Sequence, residues 1–210
     1  MKALKRIALA TALVAAMSSN ALAQEVISLP APVRTGGKPL MEVLNERKSA
    51  HSYINKDLDL QTLSDILWCA YGFNRPDKRT VPSAANAQEM SIYVLLNKGA
   101  YLYDAKTNKL TEVAKGSFKD YLANKQQPYV NDVPVHLAFV GNLDKSKAGR
   151  DGMLLDVGYI SQNVYLYCAS KGLGTVARAS FDRKNLPVAL KLNKNQEVLL
   201  VQAIGPTNEK

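Results

Sequence analysis

The chain has 210 residues, 47% of them hydrophobic, with 27 Lys and Arg against 18 Asp and Glu for a formal charge of +9. That size suits one domain with a full core, while two cysteines rule out a disulfide scaffold and give no metal motif. The lysines are scattered and no basic stripe is interleaved with aromatics, which argues against a nucleic-acid partner.

Lys2, Lys5 and Arg6 precede an apolar run from Ile7 to Met17, and Ala21-Leu22-Ala23 supplies a small-x-small cleavage pattern ahead of Gln24. Residues 1–23 therefore read as a secretory signal peptide. The run falls short of the ~20 residues of a spanning helix, and no later segment is longer and as apolar. A soluble exported protein, periplasmic or extracellular, is expected, with no membrane insertion after cleavage. Losing three basic and no acidic residues leaves the mature chain at +6.

Residues 24–38 hold Pro30, Pro32, Gly36 and Gly37 and read as an arm or linker before a domain spanning 39–210. Pro39 opens a first helix that ends near Arg47. Directly after it, Arg47, Lys48, Ser49 and His51 bring together a planar fork of donors, a point charge, a hydroxyl and a ring donor, which is chemistry for gripping a phosphate. The same residues also suit a solvated helix end, where cations complement the helix dipole.

A second helix is expected over Leu58–Gly72, from the spacing of Leu60, Leu63, Ile66 and Leu67, with Gly72 as its cap. Phe73 to Gln88 reads as a polar, Pro-containing loop. Strands follow at Met90–Leu96, Tyr101–Asp104 and Leu110–Val113, the last two joined by a turn at Lys106-Thr107-Asn108. A short helix near Phe118–Ala123 and a buried strand at Val133–Val140 come next. The longest helix runs from Gly152 to Lys171 and ends at Gly172; its apolar residues surround most of its circumference, so burial on nearly all sides is expected. Thr175–Ala179 is a strand, Asp182 caps a helix through Leu190, and Val198–Ile204 is a last strand. Cys69 and Cys168 sit in apolar helical stretches as buried free thiols, or as one disulfide if the helices meet. This order of elements indicates an α+β domain.

Four segments in this order resemble the nitroreductase-like flavoproteins, with the branch of azoline-oxidising peptide dehydrogenases as the nearest likeness. They are Arg47-Lys48-Ser49-Ala50-His51-Ser52-Tyr53, the Pro82-Ser83-Ala84-Ala85-Asn86-Ala87-Gln88 loop, the Gly99–Asp104 hairpin, and the long helix followed by Gly172-Leu173-Gly174-Thr175 and Phe181-Asp182. The resemblance implies a four- or five-stranded, mainly antiparallel sheet flanked by helices, in an intertwined homodimer with FMN bound between subunits. It implies that Arg47, Lys48, Ser49 and His51 hold the phosphate and ribityl chain. Pro82, Ser83, Ala84 and Asn86 approach from the partner, and Arg178, Ala179 and Ser180 lie near the reactive edge. NAD(P)H or another donor would then reduce a small organic acceptor through the flavin. No catalytic side chain is assigned, because the flavin carries the chemistry. Tyr71, Phe73 and Tyr129 are secondary candidates for an acceptor face. His51, where relatives more often carry Arg or Lys, and the expected export sustain an alternative: an exported binding protein of this fold with a degenerate flavin site and no turnover.

Overall fold

A computed structural model describes residues 24–209, so the signal peptide read from residues 1–23 lies outside the described residues. Helix α1 (Leu40–Glu46) follows Pro39. Helix α2 (Leu60–Tyr71) starts where Asp59 Oδ1 accepts the Thr62 N–H at 2.7 Å and Oδ2 accepts its hydroxyl at 2.9 Å, so the cap sets the start just inside the expected boundary. Gly72 ends α2 in extended geometry, not the left-handed turn of a glycine cap. Its value is space, since a Cβ there would stand 2.3 Å from Trp68 Cδ1. A two-stranded hairpin, β2 (Phe73–Arg75) and β3 (Lys78–Arg79), occupies part of the expected loop.

The main sheet contains β1 (Val26–Ser28), β4 (Met90–Leu96), β5 (Gly99–Asp104), β6 (Lys109–Lys115), β7 (Val135–Asn142), β8 (Leu173–Arg178) and β9 (Gln196–Pro206). The strand order is β1-β6-β5-β4-β7-β9-β8. Every neighbouring pair is antiparallel. Seven strands exceed the four or five expected because the β5–β6 hairpin extends the sheet edge and the arm adds β1 outside it, Val26 opposite Thr111. The arm then crosses α2, where Val33 N–H donates to Asp65 Oδ1 at 2.8 Å and Ser64 Oγ to Pro30 O at 2.5 Å.

Side chains alternate across the sheet as its pleat requires. Ile92 and Val94 of β4 and Leu137 and Phe139 of β7 pack with Leu63, Ile66, Met153 and Ile160 from α2 and the long helix α4 (Gly149–Lys171). Tyr93, Leu95, Ala138 and Val140 point to the opposite face. There they meet Leu122 of α3 (Lys119–Leu122) and Leu186 of α5 (Asn185–Ala189). Each face of the sheet is thus covered by a helical layer. Phe139 is wholly buried at its centre, and Phe139→Ala is expected to cost about 3–5 kcal/mol in a urea melt.

Gly172 ends α4 at φ 67°, the left-handed cap expected of it. The helix itself is not buried on all sides. Its Met153, Val157, Ile160, Val164 and Cys168 face the sheet, while Leu155, Gly158, Tyr159 and Gln162 face outward and are exposed. Apolar residues around a circumference do not tell how many sides find a partner within one chain. Both cysteines are free thiols. Burial pushes Cys69 up to about 11 and Cys168 higher still, so neither is a thiolate at neutral pH.

Candidate functional site

Beyond α1 the chain leaves helical geometry at Arg47 and runs beside β8, where the Ala50 N–H donates to Thr175 O at 3.0 Å. The side chains divide between two sides. Arg47 lays its guanidinium over the Tyr165 ring, 5.2 Å from the centroid, and Ser49 Oγ and Tyr165 Oη share a hydrogen bond of 3.0 Å. His51 sets its ring edge-on to Tyr129 at 5.4 Å, and its backbone N–H donates to Glu209 Oε1 at 3.0 Å. Lys48 and Ala50 face a separate cleft lined also by Glu46, Gly174 and Thr207. Of the four residues read as a phosphate grip, Lys48 therefore stands apart.

Tyr165 joins this segment to the end of β8, because its hydroxyl also accepts the Ala177 N–H at 2.9 Å. Arg178 follows, only 3% exposed. Its Nε donates to Gln127 Oε1 and its Nη2 to Leu122 O, both at 2.8 Å. The remaining nitrogen, Nη1, has no hydrogen-bond partner. Burial lowers the Arg178 pKa from its ordinary value. This guanidinium is spent inward, pinning residues 122–129, and what the segment presents outward is backbone. Ser180 Oγ accepts from Asn124 Nδ2 at 2.6 Å, and the N–H groups of Ala179 and Ser180 meet no backbone carbonyl among the described residues.

The Pro82–Asn86 segment lies elsewhere. Ser83 Oγ accepts the Gln88 N–H at 3.0 Å, and it does not cap the short 3-10 turn it precedes. Ala85, Asn86 and Gln88 take φ values of 51°, 55° and 50°. For Ala and Gln this left-handed region is unfavourable, so the surroundings must impose it. Gln88 Nε2 donates to Asp77 O at 2.7 Å and Arg79 Nε to Gln88 Oε1 at 3.0 Å. The loop leads through Gln88 into β4, whose first residue Met90 pairs with Gly141, and Gly141 packs against Met153 near the start of α4. Met153 is twelve residues from Tyr165, or about 18 Å along the helix axis. One chain thus keeps this loop apart from Arg47, Ser49 and Ala179. Tyr71 and Phe73 both stack on Arg79, whose guanidinium is 4.1 Å from each ring. Tyr71 is buried core, and of the three aromatics considered for an acceptor face only Tyr129 borders the Arg47 side.

Residues 44–206 match the model of the Nitroreductase family. This chain belongs to that family. A provisionally named nitroreductase of Methanocaldococcus jannaschii is 30% identical over 182 residues, covering 79% of this chain and 90% of that protein. A crystal structure of a provisionally named nitroreductase from Ralstonia eutropha JMP134 is 34% identical, with a TM-score of 0.78 over 88% of this chain and 90% of that one. A Desulfovibrio desulfuricans nitroreductase solved with FMN is 14% identical, with a TM-score of 0.63 over 83% of this chain and 89% of that one, and shows the shared fold.

For a nitroreductase-family chain, the residue whose place in the site was not read from sequence is Tyr165, which links Ser49, Arg47 and Ala177. A half-buried phenol seeks a partner, but Tyr159 and Tyr167 of the same helix offer the same signal in sequence, so nothing singled out Tyr165. Gln127 and Asn124, which secure Arg178 and Ser180, sit in a loop with no readable pattern.

Proposed function

We propose that this chain is an FMN-dependent oxidoreductase. It would pass hydride or electrons from NAD(P)H or another donor to a small organic acceptor of nitro-aromatic, quinone or azoline type. One observation carries the reading: Tyr165 ties Arg47 and Ser49 to the end of β8, so donors suited to a phosphate stand beside the N–H groups of Ala179 and Ser180. The donor set fits the cofactor. Arg47 would meet phosphate oxygens with a planar fork, and Ser49 and His51 would meet phosphate or ribityl oxygens. Lys48 contributes charge from the neighbouring cleft. Bound FMN would supply a store for two electrons.

The protein's own work is positional. The Ala179 and Ser180 amides are aimed by β8 and by Asn124, so they can stabilise negative charge that builds up beside them without rearranging. Arg178 holds the 122–129 segment behind them. Pro82, Ser83, Ala84 and Asn86, too far along α4 to reach this side in one chain, would come from the partner of a homodimer. The exposed apolar face of α4 supports that assembly. Export through cleavage near Ala23 belongs to the same proposal, and a mature mass beginning at Gln24 is its check.

A second reading, a ligand-binding protein without turnover, has one observation in its favour. The backbone N–H of His51 donates to Glu209 Oε1, which sets a carboxylate beside the residue that the first reading turns toward the cofactor's anion. An anaerobic visible spectrum of the mature protein with FMN, before and after NADPH or dithionite, separates the two. Retained flavin bands that bleach with NADPH support the enzyme; bands that bleach only with dithionite indicate a different donor. Arg47→Ala is expected to weaken FMN binding by about 1.5–3 kcal/mol, or roughly ten- to a hundredfold, in a fluorescence-quenching titration. A variant that binds as the parent does would remove Arg47 from the site.

A further inference from the structure

A cleft of about 650 Å³ lies between the arm, the β2–β3 hairpin and the β5–β6 turn, and it shares no lining residue with the Arg47 side. Its walls are fixed to one another. Leu29 N–H donates to Asn108 O at 3.0 Å and Asn108 Nδ2 to Pro30 O at 2.7 Å, which fastens the arm to the turn. Trp68 Nε1 donates to Phe73 O at 3.1 Å, which fastens the hairpin to α2. Arg34, Arg75 and Lys106 line the cleft, and no Asp or Glu does. None of these cations pairs with a carboxylate among the described residues. The acids nearest Arg75 and Lys106 in sequence are engaged elsewhere. Asp77 pairs with Lys78 at 3.4 Å, and Asp104 accepts the Lys106 N–H and the Thr107 hydroxyl of its own turn.

We propose that this cleft is a second binding site, for a small organic anion that carries phosphate or carboxylate groups on a planar ring. Its volume lies within the ~300–1,000 Å³ of small-molecule sites. Cations gathered at one concavity concentrate the field there and draw anions to it. Arg75 Nε donates to Asn74 Oδ1 at 3.2 Å, which orients the guanidinium and leaves its two terminal nitrogens to meet a pair of anion oxygens. The ring has its own partner. Arg34 lies over the Trp68 ring, 5.3 Å from the centroid, and is otherwise exposed. A guanidinium stacks on aromatic planes, so its outer face can take a ring from the ligand. Phe73 and Tyr103 add apolar wall. A bare inorganic anion would leave these aromatic walls uncovered, and a neutral ring would leave the cations without a partner, so the site calls for both parts in one molecule. It stands whether or not the chain holds FMN.

The test uses the mature full chain, with adenosine monophosphate and isophthalate as probes for a phosphate and a carboxylate source, and adenosine and inorganic phosphate as the ring and the charge alone. Titration calorimetry gives the affinity. Fluorescence of Trp68, the chain's only tryptophan, excited beyond the nucleotide absorption, gives the place. The expected result is saturable binding of at least one ring-bearing anion with a change in Trp68 emission, about tenfold or more tighter than adenosine or phosphate, and weakened about tenfold or more in Arg75→Ala combined with Lys106→Ala. Both side chains are exposed, so circular dichroism of the double variant should match the parent. Arg47→Ala should bind the probes as the parent does, which separates this cleft from a phosphate captured on the Arg47 side. Adenosine monophosphate alone would make the ligand nucleotide-like, and isophthalate alone would make it an aromatic acid; either upholds the site. Binding of neither probe, adenosine held as tightly as its monophosphate, or binding lost in Arg47→Ala and kept in the double variant overturns the proposal.

Discussion

His136→Leu should flatten the loss of stability that the protein shows in acid, an effect of a few kcal/mol. His136 lies in the middle of β7, paired with Leu95 and Ala203, 2% exposed and with no partner for Nε2. Burial first, then the positive charges of Arg178 and Lys119, lower it to about 3. The unfolded chain takes up that proton near pH 6.5, the folded chain only near pH 3, so stability falls as pH drops through this window. A depression of this size is worth roughly 3–5 kcal/mol, a large part of the 5–15 kcal/mol typical of a domain. Asp156 of α4, raised to about 6 by burial first and by the negative charge of Glu89 second, works in the opposite sense. Its raised pKa makes the folded state take up a proton first on acidification, which adds stability between about pH 6 and 4. The two slopes partly cancel in the parent, so the informative quantity is the difference between parent and variant. Urea unfolding at several pH values should give a difference of about 1.4 kcal/mol per pH unit near pH 5, one proton's worth. Parallel profiles would show that the imidazole is not held neutral.

The fold was legible where one segment decides its own structure. The helical spacing in Leu60–Leu67, the alternation of Met90–Leu96 and the Gly172 cap each follow from a few adjacent residues, and the structure keeps them. Misreadings arose where the partner strand is remote. Three residues at Val26–Ser28 become a strand only because β6 offers its open edge more than eighty positions later, and nothing local in the arm signals that pairing. Phe73–Arg79 carried a turn signal in Pro76-Asp77, masked by its charged flanks.

The candidate site shows the same division. Arg47, Ser49 and His51 were recognisable by chemical type, but their separation from Lys48 depends on which side of an extended segment runs along β8. Arg178 was expected within a strand, but its inward turn was not apparent, because Gln127 and Leu122 O come from a distant loop. The left-handed backbone at Ala85 and Gln88 is illegible in principle, since neither residue selects it. Contacts of Gln88 with Ser83, Asp77 and Arg79 impose it.

If the proposed homodimer forms through α4, Leu155→Glu combined with Tyr159→Glu should give a folded monomer and abolish its hold on FMN. Leu155 is 65% exposed and Tyr159 48%, one turn apart on α4, and a Cβ at Gly158 between them would meet nothing within 4 Å. This is a flat apolar strip, and burying each such side chain is worth about 1.5–3 kcal/mol. A two-fold axis through the strip counts every contribution twice. If that axis passes near Gly158 perpendicular to α4, residue 153 of one helix comes opposite about residue 163 of the other. The distance along α4 from the loop's end of the sheet to Tyr165 then shrinks from about 18 Å to about 3 Å. The loop that one chain holds away from Arg47 and Ala179 would thereby be delivered to its partner's site. Four glutamates across the axis repel, whereas neither position touches the sheet-facing core, so circular dichroism should be unchanged while light scattering reports half the parent mass. FMN affinity should fall by more than tenfold with it, since a monomer keeps only the Arg47 and Ser180 half of the donors. A monomer that binds FMN as tightly as the parent would mean that one chain completes the site, and a variant that stays dimeric would place the interface elsewhere.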